Sequence, residues 1–365
     1  MFGAREASWP LVRHDLGLQY AQVGLLLSVP TIVSNVIEPV VGVLGDTGWR
    51  RRLILGGGVL FAASLLLFAT SPSFLPMLLA SALLYPASGA FVSLSQATLM
   101  DLAPARREQN MARWNVAGAV GAVAGPLLLV GFVILHLGWR PLFATFAILT
   151  LPAIVLASSQ LDRHSRLDGE ESLLTGLRDA LHEVRRPSVL RWLALLECAD
   201  LLADVLLGYL ALYFVDVAGA TASQAALAVT VWTGAGLAGS LLLLPLLAQF
   251  DGLLYLRVSA LAALILFPLL LLAPGLIPKL LLVGSLALIN AGWYPVLQAR
   301  LYAELPERSG TAMAVATIFG TGAAIPPILV GLLAQHAGLH TALWLLAAGP
   351  IAILLGLPHS PRRPN

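Results

Sequence analysis

The chain has 365 residues, 58% of them hydrophobic and only 11% charged, with a formal net charge of +2. That charged share is less than half of what an ordinary globular domain carries, and a soluble protein so poor in charge would expose apolar surface everywhere. Composition therefore excludes a soluble enzyme or a nucleic-acid-binding module and predicts an all-α membrane protein. The single cysteine, Cys198, excludes an intramolecular disulfide.

Met1 to Arg13 lacks the apolar core of a cleavable signal peptide. From there on, breaks at Gly, Pro and charge clusters divide the chain into eleven apolar spans. These are 20–45, 53–71, 75–100, 112–135, 139–158, 189–215, 223–249, 256–273, 278–302, 310–334 and 339–357. The one long polar interruption, 159–188, carries Leu173, Leu174, Leu177, Leu181 and Val184 at helical spacing. It reads as a linker with an amphipathic helix on the membrane surface, or as a solvated linker over its first half. The expected organisation is an amino-terminal bundle (1–158), this linker, and a carboxy-terminal bundle (189–365).

Between the first two spans lies Gly42-Val43-Leu44-Gly45-Asp46-Thr47-Gly48-Trp49-Arg50-Arg51-Arg52. A tight, charged turn between two membrane spans resembles the signature loop of the major facilitator superfamily of secondary transporters, roughly G-x-x-x-D-x-x-G-[RK]-[RK]. Trp49 stands where a basic residue is usual, and the arginines follow at once. The resemblance implies two six-helix bundles. It also places the loop after the second helix, whereas here it follows the first apolar span. Helix 1 is therefore expected to be missing, through a late start codon or a truncated gene, leaving about 11 transmembrane helices. Ser8-Trp9-Pro10-Leu11 and Leu16 to Gly24 read as the end of that helix and the loop after it. Residues 16–26 also resemble the fosmidomycin-resistance group.

Orientation follows from the basic residues. With the Arg50 loop in the cytoplasm, 17 Arg fall inside, and Arg5, Arg13, Arg140 and Lys279 fall outside. The carboxy terminus is then cytoplasmic and the location is the inner (plasma) membrane. An internal repeat supports the two-bundle reading. Gln96, Pro104, Arg106 and Met111 recur 202 residues later as Gln298, Pro306, Arg308 and Met313. Duplicated transporter folds place the substrate between their halves.

Chemistry is expected from polar groups inside the membrane, which cost about 2.5–3.5 kcal/mol each on insertion scales. Glu197, Asp200 and Asp204 share one helical face by their i, i+3, i+7 spacing. Three clustered carboxylates in low dielectric cannot all ionise cheaply, which favours a proton on at least one. Asp200 and Asp204 are expected to carry a coupling proton; Glu197 assists or pairs with Arg191. Glu38, next to Pro39, is a second proton site, a gating contact or a satisfied carboxylate. Asn290 and Tyr294 are expected on a cavity wall.

The loop residues Gly42, Asp46, Gly48, Arg50, Arg51 and Arg52 are expected to gate, with Asp46 facing the positive end of a helix in the other half. The arginines also anchor the inner face. Gly121, Gly125 and Pro126 allow close helix packing and resemble the Gly-x-x-x-Gly-Pro motif of drug/proton antiporters, although Leu127 to Val130 separate them from Gly131. No metal spacing and no phosphate-binding loop are present, so no cofactor and no enzymatic activity are expected.

The expected function is alternating-access transport of a small solute, as proton-coupled efflux of a drug-like or metabolite compound. The expected partners are the small-molecule substrate, protons and the lipid bilayer, with no nucleic acid; the chain is expected to act as a monomer. The alternatives are an uptake symporter for a sugar or organic acid, or a transport-inactive truncated membrane protein.

Overall fold

The computed structural model describes residues 1–45, 48–102, 107–160, 186–304, 320 and 322–358, and these are helical apart from short turns. In chain order the amino-terminal helices are α1 (Phe2–Leu16), α2 (Tyr20–Gly45), α3 (Arg50–Thr70), α4 (Phe74–Ser88), α5 (Leu94–Leu102), α6 (Arg107–Ile134) and α7 (Arg140–Gln160). A π turn, Gly89–Ser93, joins α4 and α5 into one rod. The second half begins with α8 (Pro187–Asp200) and α9 (Leu206–Leu212), joined through the π turn Leu201–Val205 and extended by another, Tyr213–Val217. Then follow α10 (Ala222–Gln249), α11 (Gly252–Leu272), α12 (Leu276–Asn290), α13 (Trp293–Glu304), α14 (Ile325–Ala337), α15 (Leu339–Leu343) and α16 (Ala348–Gly356).

Among the described residues, ten helical rods are long and apolar enough to cross a membrane. Helices are the form such a chain must take, because each backbone donor then finds its acceptor within its own segment. Their ends fall within a few residues of the expected spans. The expected span 310–334 is described only in part, and the expected amphipathic helix lies outside the described residues, as do Asp46 and Arg106. Large apolar side chains such as Val36, Val59, Ile148, Ile277 and Leu355 cover the surface, as they must where the solvent is lipid.

The amino-terminal stretch departs from the sequence-based expectation. Phe2–Leu16 forms a helix, α1, packed against α6 of its own half and against α9 and α10 of the other. At about 22 Å it is shorter than a membrane crossing, and its polar face hides it from a search for apolar runs. Arg5, assigned above to the outer side, is only 3% exposed inside the bundle. Lys279 is buried too. Its ammonium donates to Tyr213 and to the Leu270 carbonyl at 2.8 Å, so it closes the carboxy-terminal end of α11, where cations are favoured.

Within the first half, α3 packs on α4 and α7, and α2 on α4; within the second, α10 packs on α12, and α8 on α13 and α16. The two sets meet along α2 with α14, α6 with α10, and α1 with α9 and α10. The meeting of α2 and α14 is close because both carry glycine at the crossing. A Cβ on Gly24 would lie 2.7 Å from the Pro327 carbonyl, and one on Gly331 would lie 2.6 Å from that of Tyr20.

Candidate functional site

The polar side chains of the interior converge where α1 faces the rod formed by α8 and α9. On α1, the Glu6 carboxylate takes hydrogen bonds from the Arg5 guanidinium, at 3.1 Å from Nε, and from Trp9 Nε1 at 2.7 Å. Three aromatic rings wall the guanidinium, with centroids 5.7 Å (Phe2), 5.8 Å (Trp9) and 5.1 Å (Tyr85) away. Such rings attract a cation by their negative faces. Arg5 Nη1 is buried without a hydrogen-bond partner. Glu6 also reaches the other half, where Gly208 of α9 leaves it room: a Cβ there would sit 3.7 Å from Glu6 Oε2.

Across this seam stands Asp204. It sits in the π turn Leu201–Val205, and π turns insert a residue into the helical ladder, often at functional positions. The extra residue breaks strict i, i+3, i+7 stacking. Asp204 lies within electrostatic reach of Glu6, Arg5 and Tyr85, while Asp200 looks to Asp204 and Glu197. Asp204 is solvent-exposed although protein surrounds it, so its exposure is to the space between helices. Asp200 and Glu197 are half-buried, and a Cβ on Gly322 would lie 3.5 Å from Glu197 Oε2.

The remaining expected residues scatter around this centre. Glu38 is exposed, receives the Ser34 hydroxyl and lies over Gly89 of the α4–α5 rod. Asn290 is half-buried, with Nδ2 lacking a protein partner. Tyr294 is exposed, and its hydroxyl accepts from Gln298 at 3.4 Å. These two residues flank a break in the rod at Ala291–Gly292 that periodicity did not reveal. Tyr255 mends it by donating to the Ile289 carbonyl at 2.7 Å and accepting from the Gly292 amide at 3.2 Å. Of the packing glycines, Gly125 meets Ala4 of α1, and Pro126 lies 3.1 Å from a Cβ placed on Gly3; Gly121 faces open space.

The two ends of the molecule differ. At one end Asp216, after α9, accepts from Arg13 at 2.9 Å and from the Tyr20 hydroxyl at 2.8 Å. The Arg13 guanidinium lies 4.1 Å from the centre of the Tyr20 ring. The Tyr20 amide donates to Gln335 of α14 at 3.1 Å, and Tyr209 donates to Pro327 at 2.7 Å beside the Gly24–Gly331 crossing. Apart from the Tyr209–Pro327 bond, which lies within the second half, these contacts join the halves. At the other end, Arg50 donates to the Gly45 carbonyl at 2.6 Å, Arg51 to that of Ser158 at 3.2 Å, and Arg52 lies 4.8 Å from the Trp49 ring centre. All these partners belong to the first half. Among the described residues, no heavy atom comes within 4 Å of a Cβ on Gly42 or Gly48, and α2 is exposed from Val36 to Val40. Asp46 lies outside the described residues.

Membrane-length helices in two sets, meeting around buried charge, define a polytopic membrane protein. The chain belongs to the Major Facilitator Superfamily, whose family model matches residues 6–325. It is 32% identical over 149 residues to the inner membrane transport protein YajR of Escherichia coli (strain K12), covering 38% of this chain and 30% of that protein. It is 28% identical over 146 residues to the uncharacterized MFS-type transporter YwoD of Bacillus subtilis (strain 168), covering 40% and 31%. The chain thus matches about a third of each relative's length. The fold is similar to that of the nucleoside transporter NupG, with a TM-score of 0.77 at 15% identity over 97% of this chain and 94% of that one.

The family is one of transporters. Sequence reasoning named Glu197, Asp200 and Asp204 and passed over Arg5, Glu6 and Trp9, which the fold brings beside them. The available signal was an Arg-Glu pair three residues ahead of a tryptophan, in a stretch taken for a helix end and a loop.

Proposed function

We propose that this chain is a proton-coupled transporter that exports a drug-like or metabolite compound by alternating access. One observation carries the reading. Three carboxylates, Glu197, Asp200 and Asp204, line the interior of one rod, and the only described basic side chain within electrostatic reach of Asp204, Arg5, is already paired with Glu6. Carboxylates this close inside a membrane protein share protons and titrate as a unit, so the site can load and release a proton as water reaches it from one side or the other.

In this reading 1–158 and 189–365 are the two rocking bundles and 159–188 joins them. The end bearing Arg50 to Arg52 faces the cytoplasm of a bacterial-type inner membrane, and the protein works as a monomer. The structure then represents a state closed outside and open inside, with the acids reached from the cytoplasm. The test is flux in reconstituted vesicles, comparing proton movement with movement of fluorescent drug-like solutes. Asp200→Asn or Asp204→Asn should abolish transport driven by a pH gradient while leaving solute exchange measurable. If both variants still drive solute uphill as well as the parent, these acids are structural.

A further inference from the structure

We propose that a groove between α10 and α11 binds one acyl chain of a bilayer phospholipid, and that the seated chain holds Tyr255 against the break at Ala291–Gly292.

Both α10 and α11 pack on α12, but among the described residues they scarcely touch each other. The gap between them is a cavity of about 390 Å³, within the range of about 300–1,000 Å³ that holds small molecules. Leu242 and Leu246 form one wall, Leu254 and Val258 the other, and Leu288 and Ile289 of α12 the floor. Leu242, Leu254 and Val258 are exposed on helices of membrane length, so the cavity opens sideways, where the surrounding solvent is hydrocarbon.

Its polar side chains are already committed. The Tyr255 hydroxyl donates to the Ile289 carbonyl and accepts from the Gly292 amide. The Ser259 hydroxyl donates to the Tyr255 carbonyl at 2.7 Å and accepts from Trp293 Nε1 at 2.9 Å. The other side chains lining the cavity are apolar. A ligand with a polar body would lose its hydrogen bonds to water and find none here, whereas an alkyl chain loses nothing. Phe250 and Leu254, at one end of the cavity, flank Asp251, whose exposed ion pair with Arg300 puts a guanidinium beside the phosphate of a seated lipid.

The same lining reaches the break. Gly292 leaves the room it needs: a Cβ there would collide with the Tyr255 ring and lie 2.7 Å from Leu243. Tyr255 is therefore both a wall of the cavity and the group that satisfies the broken helix. A chain packed on its ring keeps the hydroxyl in place. An empty cavity lets the ring swing aside and strands the Gly292 amide and the Ile289 carbonyl. Bilayer chains thus set the stiffness of the α12–α13 rod, whose break Asn290 and Tyr294 flank.

The test uses the full chain in lipid discs containing a phospholipid with a diazirine midway along one chain. Photolysis and site-resolved mass spectrometry should give adducts at Leu243, which is 7% exposed, as well as at exposed Leu241 and Ile265. Ala262→Phe puts a ring into the cavity and should cut the Leu243 share about tenfold while sparing Leu241 and Ile265. Leu243 adducts that survive this substitution, or none in the parent, would overturn the site. Their loss on adding a fluorescent drug-like solute would give the groove to that solute, and their loss at high protein-to-lipid ratio to a second copy; either overturns the lipid assignment.

The hold on the break is read by deuterium exchange across residues 289–296. Tyr255→Phe keeps the ring and loses the hydroxyl, so exchange there should rise about fivefold. Discs of phospholipids with methyl-branched chains, too wide for the groove, should bring the parent to the same rate. Ala262→Phe, with its cavity already filled, should exchange alike in both lipids. The comparison of lipids needs only the parent, so a variant that misfolds does not spoil it, and none of these signals requires transport. Equal exchange of the parent in straight and branched chains would mean that lipid does not hold the break.

Discussion

The two ends of this molecule differ in how their side chains are partnered. At the Asp216 end, side chains reach across the halves: Arg13 and Tyr20 to Asp216, and Gln335 to the Tyr20 amide. At the Arg50 end, the described partners of the arginines all lie within the first half. Among the described residues, the cross-half contacts thus gather at the end that stands out less in the sequence. The described closure uses a partly exposed ion pair, one tyrosine and two glycines. A protein that alternates between states must carry two sets of contacts, and a single structure displays one of them.

The largest effect should come from asking which end faces which side. With cysteines placed on a Cys198→Ala background, Ser73→Cys should react with an impermeant thiol reagent added outside intact cells, and Ser165→Cys should not. Ser73 is exposed between α3 and α4; Ser165 lies outside the described residues. The outcome is all-or-none, and the reverse pattern would exchange inside for outside in everything proposed above.

A glycine pair sharpens the comparison further. Gly24→Ala puts a methyl 2.7 Å from a backbone carbonyl, whereas Gly42→Ala meets no heavy atom of the described residues within 4 Å. Leu27 packs on Gly208 across the halves and is 9% exposed, so Leu27→Cys on the Cys198→Ala background, in liposomes, gives a thiol whose labelling reports opening there. Overpacking of this kind costs about 1–3 kcal/mol, so Gly24→Ala should speed labelling of Leu27→Cys by about tenfold. Gly42→Ala should leave that rate unchanged. Equal rates in the two variants would mean that the crossing of α2 and α14 does not close this end.

Much of this architecture was legible in advance, for identifiable reasons. Spans such as Tyr20–Gly45 and Arg140–Gln160 carry long unbroken apolar runs ended by Gly, Pro or charge, and a bilayer leaves such runs one backbone solution. The acids of the α8–α9 rod announced themselves because a carboxylate in an apolar run is rare. α1 was not legible: with Arg5, Glu6 and Ser8 among its residues, its mean hydropathy is that of a surface loop. Its helicity comes from partners distant in sequence, namely α6, α9 and α10. The break at Ala291–Gly292 was hidden for a related reason, since the Tyr255 hydroxyl that satisfies it sits 37 residues away. Contacts made at a distance leave no period in the local sequence.

The loop acid at the Arg50 end is the next test. Asp46→Asn should slow transport in vesicles several-fold while leaving expression and folding near the parent's, since charge at a helix end is worth about 0.3–1 kcal/mol, or up to about 2 where partly buried. It should not change labelling of Leu27→Cys in the state closed at the Asp216 end, because that state is held by other groups. Full transport by Asp46→Asn would remove the loop from the gating cycle.

The smallest expected effect concerns the closed end's own ion pair. Arg13 and Asp216 are 30% and 23% exposed at their side chains, so water screens them, and an exposed pair is worth about 0.2–1 kcal/mol. Asp216 also accepts the Tyr20 hydroxyl, which adds about 1 kcal/mol. Asp216→Asn keeps an acceptor for Tyr20 and removes only the charge attraction to Arg13, so labelling of Leu27→Cys should rise by no more than about fivefold. Asp216→Ala removes both contacts and should raise it further. Added salt should shift the parent toward the Asp216→Asn rate, because screening acts on the same partly exposed pair. If Asp216→Asn matches Gly24→Ala, the ion pair rather than the glycine crossing carries the closure and the ranking of the two contacts is reversed; if salt has no effect, the ion pair contributes nothing to the closure.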